Sequence, residues 1–392
     1  MTSRVRSDSE KRYEKNLSRL HFEKKYVTIS RVCVQTAKSI KRIERGIVVN
    51  WFICALICLV GWGFADLFYK KGTDETDRYS HLRIAVWVGL VMGVAAFIML
   101  PFSETSFSFA GLVVNAAKYS PASLCYIVSM VIGYAGLRYL EVSIVSPVQN
   151  ASGALSAIFM MVYFLAVGRI SSFSDEFDVP TLIGTVFIVA GVVALAVFEQ
   201  RYARAERDAL ADGADKSADR KYRFGALALL FPLLYCLFDT LGTTADGIIL
   251  DEEKGLGLGE IDVLILYGLT FFLAGIAAWV FLWIKEGKPY NPFVKRDLLN
   301  KGPAAVCEEF GQFFYVYAMA GRPIVAAPMV ASYCIVSLIL GRLILKEKLR
   351  WAQYACVAAV VVGIVLLGIA DGLAEDGEEI AEAAGEVAKL FA

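Results

Sequence analysis

Histidine is almost missing: there are two in 392 residues, His21 and His81, and both lie outside the long apolar stretches. No HExxH and no zinc-type Cys/His spacing occurs either, which argues against metal chemistry and against a histidine-based nucleophile–base pair. Charge is scarce, at 20% of residues against 57% hydrophobic, where a soluble domain carries nearer a quarter charged. The glycine run Gly255-Leu-Gly-Leu-Gly259 lacks the following Gly-Lys-Ser/Thr, so it makes no nucleotide-phosphate loop. The charged tails lack aromatic interleaving, so no nucleic-acid partner is expected. No apolar h-region precedes the first long apolar block, so no cleavable signal peptide is predicted. Of eight cysteines, Cys54, Cys58, Cys125, Cys236, Cys334 and Cys356 are scattered inside apolar blocks, Cys307 near the start of one and Cys33 in the tail. Such cysteines act as small hydrophobes, and they form neither a disulfide frame nor a cofactor cluster.

What is present is a series of apolar blocks of about 20 residues, the length that crosses a ~30 Å hydrocarbon layer at 1.5 Å per residue. They fall at 47–69, 82–101, 119–140, 144–167, 180–198, 222–243, 261–284, 302–321, 323–345 and 351–370. The fold class predicted is all-α integral membrane, with about ten transmembrane helices. Trp51, Trp87, Tyr119, Tyr222, Trp283 and Trp351 stand near block ends, where amphipathic aromatics prefer the headgroup level. Pro121, Pro147, Pro180, Pro303, Pro323 and Pro328 fall in first turns, where a missing N–H costs little.

The first 46 residues hold thirteen Lys/Arg against five Asp/Glu. Ile29, Cys33, Ala37, Ile40 and Ile43 recur there at helical spacing, which suits either a helix on an anionic lipid surface or a plain basic flank. The chain thus divides into a basic cytoplasmic or interfacial segment 1–46, a five-helix unit 47–198, a polar linker 199–221, a second five-helix unit 222–370 and an acidic tail 371–392. In the tail Ile380, Ala384, Val387 and Leu390 share a face, reading as an amphipathic helix with no catalytic role.

The linker halves the membrane region, and the halves are similar. Ile144-Val-Ser-Pro-Val-Gln-Asn-Ala-Ser152 matches Ile324-Val-Ala-Ala-Pro-Met-Val-Ala-Ser332, and Val189-Ala-Gly191-Val-Val resembles Val361-Val-Gly363-Ile-Val. Trp62-Gly-Phe-Ala-Asp66 lines up with Tyr235-Cys-Leu-Phe-Asp239. Five spans per copy is an odd number, so the second copy enters from the opposite side, and an inverted repeat is expected.

Gly61-Trp62-Gly63-Phe64 resembles the Trp-Gly signature near the start of EamA-type members of the drug/metabolite transporter superfamily. Gly136-Leu137-Arg138-Tyr139, followed by Val142-Ser-Ile-Val-Ser-Pro147, resembles that family's junction between its third and fourth helices. Pro323 to Pro328, then Gly341-Arg-Leu-Ile-Leu-Lys-Glu347, resembles its ninth-helix ending. The likeness covers roughly 47–370, with two departures: apolar residues near Val167 where the second half has Glu347, and an extra stretch from Ser171 to Asp178. It implies an exporter or exchanger of small polar metabolites, with a cavity lined by helices one, three, four, six, eight and nine.

Ionisable groups inside a membrane are costly, by about 2.5–3.5 kcal/mol at the centre on insertion scales, and so tend to face an interior. Asp66 and Asp239 take equivalent places, each one turn after Trp62 or Tyr235. They could hold a substrate ammonium or take up protons alternately; near their span ends, they could also simply reach water. Glu308, Gln312, Tyr315 and Met319 share a face, which makes Glu308, not the adjacent Glu309, the cavity-lining acid. Gln149 and Asn150 offer hydrogen bonds to a ligand, or to a neighbouring helix. Arg138 near its span end reads as snorkelling towards the interface beside Glu141. Gly89-x3-Gly93 reads as a close-packing motif. The substrate-binding set is therefore Trp62, Asp66, Gln149, Asn150, Tyr235, Asp239, Glu308, Gln312 and Tyr315.

With no nucleotide motif, the energy source is a gradient or exchange. The predicted function is secondary transport of a small polar or amphipathic metabolite, in a bacterial cytoplasmic membrane, with lipid as the other partner and a homodimer left open. Lys41, Arg42 and Arg45 beside the first span place both ends in the cytoplasm, although the loop charges favour the reverse. The rival is a non-transporting sensor or scaffold whose tails do the work; a membrane enzyme lacks the residues it needs.

Overall fold

The computed structural model describes residues 50–74, 77–103, 109–136, 149–211, 230–251, 253–344 and 349–390. The helices are α1 (Trp51–Gly72), α2 (Ser80–Met99), α3 (Phe109–Gly136), α4 (Ser152–Ala166), α5 (Val179–Ala211), α6 (Leu230–Ile249) and α7 (Glu260–Glu286), then the short α8 (Lys295–Asn300). They continue as α9 (Gly302–Gly321), α10 (Pro323–Ala331), α11 (Tyr333–Ile344) and α12 (Trp351–Leu390), and no strand occurs among the described residues. The fold is all-α and integral to the membrane. Among the described residues, six helical segments are long and apolar enough to cross: Trp51–Gly72, Ser80–Phe102, Val179–Phe198, Glu260–Glu286, Pro323–Ile344 and Trp351–Leu373. Helices also stand at the other four expected positions (α3, α4, α6 and α9). Three of these carry polar residues turned inward, which lowers their hydropathy, and α4 is short.

Trp51 to the C-terminus clusters as one compact unit, so the two halves are not separate bodies. Met1–Asn50 forms the other unit, and the basic segment 1–46 lies outside the described residues. Helix α1 packs on α9, α10 and α11, while α6 packs on α3 and α4; α2 pairs with α7, α5 with α12 and α4 with α10. Every one of these pairs joins the first half to the second. At the α2–α7 crossing a Cβ on Gly89 would sit 2.5 Å from the Phe271 carbonyl oxygen, and one on Gly275 would sit 3.0 Å from Gly89 Cα. Only glycine lets these two backbones approach so closely, and such small-residue contacts are how helices pack where lipid offers no hydrophobic drive. Outward faces, such as Phe97, Val186, Leu273 and Val362, are exposed and apolar, as a surface wetted by lipid requires.

Ion pairs gather at the two ends of the bundle. At one end Arg83 bonds Asp77 at 2.7 Å and also Glu286, and Arg296 meets Asp74 at 2.6 Å. At the other Arg169 pairs with Asp251 at 3.0 Å, and Arg322 donates to the Glu176 carbonyl at 2.6 Å. The extra stretch Ser171–Asp178 thus fastens to the second half. Its 3-10 turn Phe173–Asp175 is held by a capping box between Ser172 and Asp175.

Several boundaries are corrected. The first part of the expected linker is helix, since α5 runs on to Ala211; Arg201 to Ala211 is rich in Ala and Arg with no Gly or Pro, so helical propensity carries it beyond the apolar part. Helix α3 starts ten residues before the expected 119, so Tyr119 is fully buried in mid-helix instead of marking an interface, and Pro121 lies inside the helix. Pro328 also lies inside a helix, α10, which ends at Ala331 before α11 resumes at Tyr333; a proline lacks the N–H and crowds the preceding turn. Helix α6 extends to Ile249, which puts Asp239 in mid-helix and not near an end. His81 falls in the first turn of α2. Helix α12 continues through the acidic tail to Leu390. Arg138, Glu141, Pro147, Tyr222 and Glu347 lie outside the described residues.

Candidate functional site

A cavity opens among helices drawn from both halves. From α1 come Trp62, Asp66 and Tyr69; from α3, Tyr126, Met130, Gly133 and Tyr134; around the start of α4, Gln149, Asn150, Ser152 and Gly153. Helix α6 contributes Tyr235, Asp239 and Thr243, and α9 contributes Glu308, Gln312 and Tyr315. Ala327, Val330 and Ala331 of α10, Tyr333 of α11 and Tyr267 of α7 complete the wall. All nine residues singled out from the sequence, Trp62, Asp66, Gln149, Asn150, Tyr235, Asp239, Glu308, Gln312 and Tyr315, lie on this one wall. Glu309, turned about 100° further round its helix, is half-buried and off the wall.

Helical periodicity explains the gathering. On α6, Tyr235, Asp239 and Thr243 are spaced four apart, and on α9 Glu308, Gln312 and Tyr315 are spaced four and three apart, so each set shares a face. Trp62 stacks on Tyr315, ring centroids 5.2 Å apart at 29°, and meets Tyr333 edge-on at 5.8 Å. Its indole N–H donates to the Glu308 carbonyl at 3.2 Å, which fixes the ring. Tyr69 and Tyr134 lie 5.0 Å apart with Tyr134 donating to the Tyr69 hydroxyl at 3.1 Å, and Tyr126 packs edge-on to Tyr267 at 5.7 Å.

Ser152 donates to Asp239 at 2.6 Å. The Tyr69 hydroxyl lies beside Glu308, and Asp66 and Asp239 are near enough to act on it electrostatically. Gln312 is buried, and its side-chain Nε2 finds no acceptor. No Lys, Arg or His is among the described lining residues.

The sequence reading missed Tyr69, Tyr126, Tyr134, Tyr267, Tyr333, Ser152 and Thr243. It also missed Asp246, fully buried about two turns beyond Asp239. The hydroxyls of Tyr119, Tyr126 and Tyr315 surround its carboxylate, although neither oxygen meets a donor in hydrogen-bond geometry. A signal was there: Tyr119, Tyr126 and Tyr134 recur at seven and eight residues, one stripe of a helix. Placing the end of the sixth span at 243 hid Asp246.

Outside the spans, burial works against Asp297, but the Lys301 ammonium at 2.6 Å and the Tyr290 hydroxyl at 2.7 Å outweigh it and hold this carboxyl below its ordinary value. At the opposite end, burial pushes the Glu176 carboxyl up in spite of the neighbouring Arg322 and Arg169.

Residues 255–369 match the family described as the EamA-like transporter family. No curated protein matches the chain in sequence. A solved structure, described only as the crystal structure of a protein, is similar at TM-score 0.52 and 12% identity, over 83% of this chain and 99% of its own. At that identity the likeness concerns the fold alone.

Proposed function

We propose, from the match of residues 255–369 to the EamA-like transporter family, that the chain is an EamA-type member of the drug/metabolite transporter superfamily and a secondary transporter, exporter or exchanger, of a small polar or amphipathic metabolite. It is a multi-pass integral membrane protein, and we place it in a bacterial cytoplasmic membrane with both ends inside. The observation that carries the reading is one cavity, walled by helices of both halves, onto which Asp66, Asp239, Glu308, Gln149, Asn150 and Gln312 converge. Acids and amides deep in an apolar bundle are costly unless something polar meets them.

Helix partners point the same way. If α1, α2, α3, α4 and α5 are exchanged in turn for α6, α7, α9, α10–α11 and α12, the pairs α1·α9 and α6·α3 exchange, as do α1·α10 and α6·α4, while α2·α7, α5·α12 and α4·α10 return to themselves. The reciprocal contact of Gly184 and Gly363, where a Cβ on either would crowd the other's carbonyl oxygen at 2.9 and 2.6 Å, has the same self-paired character. This supports two inverted five-helix repeats, an arrangement that supplies outward-open and inward-open forms from one pattern. In such a carrier the nine wall residues named from the sequence form the substrate site.

The test is counterflow in proteoliposomes holding the full chain, preloaded in turn with amines, amino acids, nucleosides and nucleotide-sugars. One class is expected to exchange with external label, and Asp239→Asn to slow it at least about tenfold, the equivalent of 1.4 kcal/mol. Absence of exchange for every class in vesicles that contain folded protein would overturn the transport reading.

A further inference from the structure

We propose that the cavity selects organic cations: a small amine or quaternary ammonium that also carries a hydrogen-bond acceptor such as a hydroxyl or carbonyl. The inference rests on the transport-site reading and names its substrate class.

Its first ground is the make-up of the wall. Three carboxylates, Asp66, Asp239 and Glu308, face a chamber whose aromatic residues are seven tyrosines and Trp62. Aromatic faces carry negative charge density and attract cations, most strongly where water is excluded, and rings around a quaternary ammonium form the usual cage for it. The rings are already braced against one another, Trp62 on Tyr315 and Tyr69 on Tyr134, so little ordering is left for the ligand to impose.

The second ground is what the wall omits. With no Lys, Arg or His among the described lining residues, a phosphate ester, dicarboxylate or nucleotide-sugar would find no counter-charge on them and would lie beside three acidic side chains. Nor do the acids suit a metal ion. Among the described residues no three His, Cys, Asp or Glu converge as ligands, and a hard divalent cation needs several oxygens at once. A diffuse organic charge is satisfied by separated carboxylates and rings.

The third ground is Gln312. It is 2% exposed, lies on the wall, and holds a side-chain N–H with no acceptor. Buried donors are rarely left empty, and an acceptor on the ligand would fill this one. That separates the preferred ligand from a bare tetraalkylammonium.

Two measurements on the purified full chain test this. Thermal melting is followed with choline, tetraethylammonium, phenethylammonium, glucose-6-phosphate and 3,3-dimethylbutan-1-ol, the uncharged carbon analogue of choline, each at about 10 mM, a level at which millimolar binding registers. Choline is expected to raise the melting temperature, its uncharged analogue and the phosphate ester to leave it unchanged. Gln312→Leu should weaken choline more than tetraethylammonium, and Asp239→Asn should weaken every cation. The inference falls if none of the cations stabilises, or if the uncharged analogue does so equally.

Counterflow of labelled choline, and of labelled solutes of the other classes, on the same preparation separates the two claims. Cation binding with no exchange of choline or of any other class keeps the cation class and sinks the transporter. Exchange confined to an anion or neutral solute keeps the transporter and sinks the cation class.

Discussion

The hydroxyls of Tyr126 and Tyr315 lie 2.7 Å apart, joining α3 of the first half to α9 of the second at the cavity wall. Tyr126 also donates to Thr243 on α6 at 3.2 Å, which leaves its lone pairs for the Tyr315 hydroxyl. Three helices from two halves meet at this one phenol. Tyr126→Phe is therefore expected to cost more than Tyr315→Phe, about 1–2 kcal/mol against about 1. The double variant should be less damaging than the sum, since the two share a bond. Melting curves of the three variants measure this; additive losses would mean the two hydroxyls do not interact.

Gly89 and Gly93 are four residues apart on α2, yet their replacement should differ. A Cβ at Gly89 strikes the Phe271 carbonyl at 2.5 Å and Gly275 Cα at 2.8 Å, both backbone, while at Gly93 it meets only the Phe272 side chain. Alanine at Gly89 is expected to destabilise by about 1–3 kcal/mol through overpacking. At Gly93 the ring can move, and the helical gain of about 0.5–1 kcal/mol on replacing glycine offsets much of the strain. Comparing melting temperatures in detergent checks the pair; equal losses would refute the distinction between backbone and side-chain obstacles.

Asp297 gives a pH signature. Its carboxyl is held below the ordinary 3.8 in the folded protein, so its contribution is present above that value and lost as pH falls through the lowered one. Asp297→Asn should lower the melting temperature at pH 7 and converge on the parent as the medium becomes strongly acid. A difference that stays constant from neutral to acid pH would show that Asp297 acts through packing and not through charge.

Trp51 donates its indole N–H to Asp371, tying the start of α1 to a buried residue of α12. Truncation after Leu373 should leave stability and counterflow near the parent's. Asp371→Ala in the full chain should lose about 1.5–3 kcal/mol, the range for a hydrogen bond to a charged group. If the short truncation abolishes an output while flux was never present, the tail is the working part and the protein is a sensor.

Much of this architecture was legible in the chain alone, for a reason that belongs to the solvent. A ~30 Å apolar layer demands about 20 apolar residues in a helix, so blocks such as 302–321 and 323–345 announce their position without any knowledge of neighbours. The carboxylates were legible too, because a charge inside such a block is costly wherever the helix sits. Asp66, Asp239 and Glu308 stand out by contrast with their surroundings. Tyrosine does not: it is as much at home at an interface as in a chamber, and only packing distinguishes Tyr119 or Tyr126 from Trp351, which is exposed at a helix start. Helix ends inside polar sequence, such as the extension of α5 to Ala211 and of α6 to Ile249, rest on propensities too small to read with confidence in isolation. The sequence by itself therefore determined the membrane class and the unusual acids. Only the tertiary structure decided which faces meet, and so turned three scattered carboxylates and seven tyrosines into one wall, because that depends on contacts between residues hundreds of positions apart.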